Sequence, residues 1–273
     1  MGKLTARERA SLPDRAFAYI DAQGGRRLPI HDEAHVRNAL ARFDRVEFED
    51  EAAREQARRR LLNAARRFGI LPVGFVAAQL RPDLGSPDFS KLPTGSVTFL
   101  MTDIERSTRL AERLGDRYAP LLKDVRALVR IAGRRRGGRR VDSHGDEYLT
   151  VFETPEGAIE AAIEIQRSLA IRRWPGKIDC RVRAGIHTGH PTLTESGYVG
   201  LAVNTVSRVC YVGHGGQIVV SGATRTAVAP SLPDGIRFTS LGRHRLTGLS
   251  RPVSLYQVRA DGLSETFPPI RVG

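Results

Sequence analysis

Two acidic residues stand where strands end and turns begin. Asp103 closes the apolar run of "TFLMTDIERST" (Thr98–Thr108), and Asp146 sits in the tight glycine turn of "SHGDEY". Carboxylates brought to one sheet edge suit a hard divalent cation, because Mg²⁺ takes oxygen ligands and keeps water or substrate phosphate for its other positions. The turn after Asp103, Glu105 to Thr108, leads into a helix and would offer unpaired backbone N–H groups to phosphate oxygens. Taken singly, each acid is also what an ordinary strand end or turn contains. The chemistry therefore depends on whether the fold brings them together.

The surrounding elements alternate between strand and helix. "SVTFLMTD" reads as a buried strand, and "STRLAERLGDRYAPLLKDVRALVRIAG" as one helix capped by Ser107, with Leu110, Leu114, Leu121, Val125 and Leu128 at helical spacing. "RRVDS" and "EYLTVFE" flank "HGD" as a β-hairpin. "TPEGAIEAAIEIQRSLAIR" has Thr154 as its N-cap and Pro155 in its first turn. "DCRVRAGIHTGH" is a further strand, "GLAVNTVSRVCYVG" a further helix, and a short β-rich tail ends at "VSLYQVR". The order βαββαβ closes as a four-stranded antiparallel sheet with two helices on one face, an α+β fold of ferredoxin-like type. That sheet makes the first strand and the hairpin neighbours, so Asp103 and Asp146 can reach one edge. His187, inside its strand, reads as a packed, hydrogen-bonded residue, and Cys180 and Cys210 as small buried apolar ones.

The segment "RPDLGSPDFSKLPTGS" (Arg81–Ser96) concentrates residues that break regular structure and reads as a linker. We divide the chain into a small helical N-terminal region (1–80), a linker (81–94), a main domain (95–260) and a C-terminal tail (261–273). In the first region Val36, Ala39, Leu40 and Phe43, then Leu61, Leu62, Ala65 and Phe68, lie at helical spacing, with Asp32 and Asp50 as N-caps and Gly69 as a stop. His31 and His35 are spaced like a metal pair, but no third ligand is expected nearby.

Lysine and arginine number 43 against 30 acids, a net charge of +13 that favours a polyanionic partner. Aromatic residues are only 6% of the chain, so nucleotide phosphate is a better match than nucleic acid, although arginine-rich N-terminal helices leave that alternative open. No apolar run reaches the ~18 residues of a membrane span. The N-terminus lacks a signal-peptide core, and two cysteines in no metal-like spacing suit a reducing compartment. A cytoplasmic protein without membrane attachment is expected.

The segments "TFLMTDIERST", "HGDEYLTVF", "VRAGIHTG" and "GYVGLAVNTVSR", in this order, resemble the class III nucleotidyl cyclase catalytic domain over Gly95 to Val258. The closing "LGRHRLTGLSRPVSLYQV" is similar to the end of that domain in actinobacterial members. The resemblance implies that Asp103 and Asp146, with the Ile104 carbonyl, hold two divalent ions, Mg²⁺ or Mn²⁺. It implies that Ile104, Glu105, Arg106, Ser107, Thr108 and Arg183 receive the phosphates of a nucleoside triphosphate. Asn204 and Arg208 match the transition-state pair, one orienting the ribose and the other neutralising developing charge. A homodimer with two interfacial sites follows, because the family sets the metals of one protomer opposite the Asn/Arg helix of another. The implied reaction is ATP to its 3′,5′-cyclic monophosphate and pyrophosphate. The alternatives are a cyclase for another base, pyrimidine or guanine, and a catalytically weak cyclase-fold module that binds nucleotide or a partner.

Four positions depart from the family pattern. Asp142 and Gly197 stand where members usually carry a base-selecting lysine and an acid or threonine. An acceptor at Asp142 suits an exocyclic amine, which adenine and cytosine carry. Arg106 replaces a common glycine, and Thr247 a triphosphate-binding lysine, for which Arg243, Arg245 or Arg251 could substitute in charge though not in geometry.

Overall fold

The computed structural model describes residues 6–70, 89–174, 178–195 and 197–272. Contacts divide the chain into two units, Met1–Val76 and Ala77–Gly273. The first contains α1 (Ala6–Ser11), a β-hairpin of β1 (Phe17–Ile20) and β2 (Arg26–Pro29), and helices α2 (Glu33–Arg42) and α3 (Glu51–Arg67). Asp32 accepts the His35 N–H and Asp50 the Ala53 N–H, each at 2.7 Å, so both helices start on the expected caps. Gly69, at φ +64°, lies just beyond the end of α3. Val36, Ala39, Phe43, Leu61 and Ala65 join one buried cluster with Tyr19 and Leu28 of the hairpin.

Two expectations for this unit are corrected. It is not purely helical: the hairpin forms because Asp21 accepts the Gly25 N–H at 2.6 Å and closes a tight turn between two four-residue strands. His31 and His35 also have a third potential ligand beside them, since Asp32 brings all three ligand atoms within 4.8 Å of one another. Asp32 Oδ1 already caps the helix and lies 2.9 Å from His35 Nδ1, which gives that carboxylate a structural role.

In the second unit β3 (Val97–Ile104) is buried along its whole length, because it pairs antiparallel with β5 (Glu147–Phe152) on one side and β6 (Val182–Gly189) on the other. β4 (Arg139–His144) pairs with β5, so the order β6-β3-β5-β4 is the antiparallel ferredoxin-like sheet expected of βαββαβ. The tail enlarges it beyond four strands. β9 (Ile218–Ser221) runs parallel to β6, and β11 (Val253–Arg259) and β10 (Arg237–His244) add antiparallel beyond it, giving seven strands. β7 (Thr192–Thr194) and β8 (Gly197–Val199) form a separate ribbon.

The helix expected to run on from Ser107 is broken in two, α4 (Ser107–Leu114) and α5 (Tyr118–Arg135). Gly115 takes φ +54°, ψ −124°, a conformation side chains resist, and a 3₁₀ turn redirects the chain. α6 (Pro155–Ile171) starts on Thr154 and Pro155 as predicted. It packs against α5 and on β3 and β6. α7 (Leu201–Tyr211) covers the other face, where Ala202, Val206 and Cys210 meet Val97, Phe99 and Met101 of β3. Strand alternation explains this division, since every second residue of β3 faces α7. Gly185 lets β6 and α7 touch backbone to backbone: a Cβ there would lie 2.5 Å from Cys210 Cα. α8 (Gly222–Val228) follows β9.

Phe89 and Leu92 pack into the α7 cluster, so residues 89–94 belong to the domain and not to a linker. The rest of the 81–94 segment lies outside the described residues.

Candidate active site

Asp103 ends β3 directly opposite Arg183 of β6 and is 5% exposed. Arg183 clasps it through Nε at 2.6 Å and Nη2 at 2.5 Å, both to Oδ2. The guanidinium is itself held from α7, lying 4.8 Å from the Tyr211 ring centre and donating to the Tyr211 carbonyl at 3.4 Å. Asp146 occupies the two-residue turn between β4 and β5, where Gly145 takes φ +57°. Its charge acts directly on Asp103. Burial, reinforced by the Asp146 charge, pushes the Asp103 carboxyl up to about 7 although Arg183 pulls the other way. A buried carboxylate beside a second acid ionises readily only when enough positive charge is present.

The fold therefore brings together the two acids and Arg183. It also uses a residue that sequence reasoning passed over. Arg126 of α5 is 3% exposed and donates from Nη2 to the Gly145 carbonyl, which anchors the turn carrying Asp146. The available signal was its position, four residues after Leu122 and three before Val129, on the buried stripe of the helix. The Tyr211 hydroxyl donates to Glu147 Oε1 and ties α7 to the same hairpin.

The turn after Asp103 is built differently from the expectation in one respect. Ser107 is the first residue of α4 and caps nothing; the N-cap position belongs to Arg106, which adopts left-handed φ 56°, ψ 37° and makes no side-chain cap. Ile104 is buried, Glu105 and Ser107 are half-buried, and Arg106 and Thr108 are exposed. The Glu105 N–H donates to the Arg181 carbonyl at 2.9 Å. Burial works against ionising its carboxylate, but the Gly215 N–H and Arg271 outweigh it and hold the group below the usual range. Glu105 Oε1 pairs with Arg271, placing the segment after β11 against this turn. Backbone N–H groups at Ser107 and Thr108, in the first turn of α4, lack intrahelical acceptors.

Asn204 and Arg208 are exposed on one face of α7, and their side chains make no hydrogen bond or ion pair among the described residues. The α7 side chains that meet Arg183 are Tyr211, whose ring lies under the guanidinium, and Cys210, whose thiol donates to the Arg183 carbonyl at 3.7 Å. Asp142 is exposed at a bulge in β4, where its Oδ1 accepts the Ser143 N–H at 2.7 Å. Gly197 is buried at φ +113°, and a Cβ there would stand 3.3 Å from the Phe89 ring. The departure at that position thus has a backbone cause: a side chain would be strained. Arg243, Arg245, Thr247 and Arg251 are all exposed along β10 and its connection to β11.

The donor set fits a hard divalent cation. Two carboxylate side chains, Asp103 near the end of β3 and Asp146 in the β4–β5 turn, together with the Ile104 carbonyl offer only oxygen, the ligand type such a cation takes.

Residues 89–260 match the model of the adenylate and guanylate cyclase catalytic domain, and the chain belongs to that family. An uncharacterised protein of Mycobacterium tuberculosis is 36% identical over 190 residues, covering 67% of this chain and 63% of the relative. The chain thus spans less than two thirds of that relative's length. An adenylate cyclase of Lachancea kluyveri is 29% identical over 54% of this chain and 9% of its own length. Among solved structures, a Trypanosoma brucei adenylate cyclase in its monomeric state superposes with a TM-score of 0.60 at 25% identity, covering 67% of this chain and 96% of that one. No helix among the described residues is long and apolar enough to cross a membrane.

Proposed function

We propose that the chain is a nucleotide cyclase that converts a nucleoside triphosphate, with ATP the leading substrate, to its 3′,5′-cyclic monophosphate and pyrophosphate. The buried Asp103, clasped by Arg183 and acted on by the charge of the half-buried Asp146, carries this reading. Two divalent ions, Mg²⁺ or Mn²⁺, held by these carboxylates and the Ile104 carbonyl would lower the pKa of the ribose 3′-hydroxyl and screen the triphosphate. Arg183 would exchange its carboxylate partner for the terminal phosphates, whose oxygens fit the same guanidinium edge. The first turn of α4, from Ser107 and Thr108, would donate backbone N–H groups to them, with Glu105 and Arg106 shaping the turn. Asn204 would orient the ribose and Arg208 neutralise charge on the transferring phosphoryl group. Both are exposed, which supports their completing the site of a second copy in a homodimer. Asp142 accepts where family members donate, which favours a base with an exocyclic amine. Two free, buried cysteines suit the cytoplasm. Residues 1–80 are proposed as a separate region attached to this domain.

The test is to incubate the full chain with each of the four ribonucleoside triphosphates and Mn²⁺ and to quantify cyclic product and pyrophosphate. Product from ATP, lost in Asp103→Asn and Asp146→Asn, is expected. No product above an Asp103→Ala control, with nucleotide binding retained, would replace the enzyme by a nucleotide-binding module. That second reading is favoured by Arg106, a strained arginine in the phosphate turn.

A further inference from the structure

A cavity of about 1180 Å³ opens between α4, the end of α6 and the segment Gly262–Arg271. It shares Glu105 and Arg106 with the turn after β3, but none of Asp103, Asp146, Arg183, Asn204 and Arg208 lines it. It is therefore a separate place on the domain. Its volume slightly exceeds the roughly 300–1,000 Å³ of sites that enclose drug-sized ligands.

The charge of its wall is one-sided. Arg109 and Arg113 lie four apart on α4, Arg106 immediately precedes that helix, and Arg172, which pairs with Asp124, Arg181 and Arg271 face the same space. Only Glu105 and Asp179 oppose them, and each already has an arginine: Glu105 pairs with Arg271, and Asp179 with Arg181 at 2.7 Å. The Arg109 side chain has no hydrogen bond or ion pair among the described residues and is exposed. Beneath the arginines the wall turns apolar, with Leu110, Leu169 and Ile178, and it includes two aromatic rings, Trp174 and Phe267. The Arg172 guanidinium lies 5.3 Å from the Trp174 ring centre, and a wall that sets guanidinium groups beside aromatic and aliphatic side chains matches a ligand that is phosphorylated at one end and planar at the other. Bare phosphate would leave the apolar side chains unused, and an uncharged apolar ligand would leave the Arg109 guanidinium unanswered.

We propose that this cavity is a second nucleotide site, outside the catalytic cleft, with phosphates on the α4 arginines and the base against Trp174. Its occupant touches Glu105 and Arg106, and so bears on the turn that leaves Asp103.

Trp174 is the only tryptophan of the chain, so its fluorescence reports on the cavity alone. The full chain is titrated with ATP in EDTA, with inner-filter correction against free tryptophan, and in parallel with pyrophosphate and inorganic phosphate. Saturable quenching by ATP is expected, with inorganic phosphate at least about tenfold weaker. Arg109→Glu combined with Arg113→Glu should raise the apparent Kd about tenfold or more, and Arg109→Ala with Arg113→Ala by a smaller factor should charge reversal impair folding. Asp103→Asn should leave the quench intact, whatever its effect on turnover, which keeps this test independent of the cyclase reading. The proposal is overturned by the absence of saturable quenching at millimolar ATP, by its loss in Asp103→Asn, or by equal affinity for inorganic phosphate.

Discussion

Replacing Arg106 by glycine and, separately, by alanine distinguishes two roles that this residue combines. Both changes delete the guanidinium, so the difference between them reads the backbone alone. Arg106 sits at φ 56°, ψ 37°, and among the described residues only Leu28 shares its left-handed, non-glycine backbone. That conformation costs an L-residue about 1–2 kcal/mol, a cost glycine escapes. Glycine in turn loses about 0.4–1 kcal/mol through its larger freedom in the unfolded chain. The glycine variant should therefore exceed the alanine variant in stability by about 0.5–1 kcal/mol. For a domain of this size that is about 1–4 °C in Tm. Urea melts of both variants, compared at equal m-values, give the number directly. An alanine variant as stable as the glycine variant would refute the reasoning, because the turn would then be free to leave the left-handed region. Kinetics separate the side chain: KM for the triphosphate rises equally in both variants if the guanidinium contacts phosphate, and falls equally if it crowds the turn.

Gly185→Ala should destabilise the domain by about 1–3 kcal/mol, read as a lower urea midpoint, because its Cβ would fall on the backbone of Cys210 and neither β6 nor α7 can yield cheaply. An unchanged midpoint would show that α7 is not held by this contact. Arg126→Met should leave the Gly145 carbonyl without its donor and destabilise by about 1–3 kcal/mol. It should also raise the Mn²⁺ concentration needed for half-maximal activity, since the turn carrying Asp146 loosens; a rise in thermal lability without that shift would limit Arg126 to stability. Burial lowers the His187 pKa to about 4, so the folded chain keeps it neutral where the unfolded chain binds a proton. Stability is then unaffected above about pH 6.5, falls as pH drops from there to about 4, and levels off below, a loss on the order of 3 kcal/mol. His187→Gln should flatten that part of the stability–pH curve, and an unchanged slope would assign the acid sensitivity elsewhere.

What was legible in the sequence followed from strong local patterns. β3 was clear because eight consecutive buried residues leave no other reading, and α6 because Thr154 and Pro155 mark its start. The break between α4 and α5 was hidden by its own periodicity. Leu114 and Leu121 are seven apart, so the apolar stripe runs in phase across the interruption, and only Gly115 signalled it. β1 and β2 are four residues each, too short for alternation to register. The sheet grew from four strands to seven because β9 is also only four residues long and β10 is nowhere buried. Their pairing with β6 and β11 is a tertiary choice that no local pattern announces.

The site divides along the same line. Asp103 and Asp146 were readable as a pair because a strand end and a hairpin turn in βαββαβ must be neighbours. That Arg183 would clasp Asp103 was not, though the cause is simple: β3 and β6 place the two in register, and a buried carboxylate takes the nearest cation. Arg126 and Arg271 depend on helix packing and on the chain after β11, which spacing does not encode. The clasp also has a consequence for binding. Arg183 directs Nε and Nη2 to a single oxygen of Asp103, so it cannot grip phosphate through that edge while holding the acid. Once Arg183 moves to phosphate, Asp103 and Asp146 face each other without it, and their repulsion falls to whatever cation lies between them. Cation and triphosphate should therefore bind with positive coupling, each removing the other's obstacle.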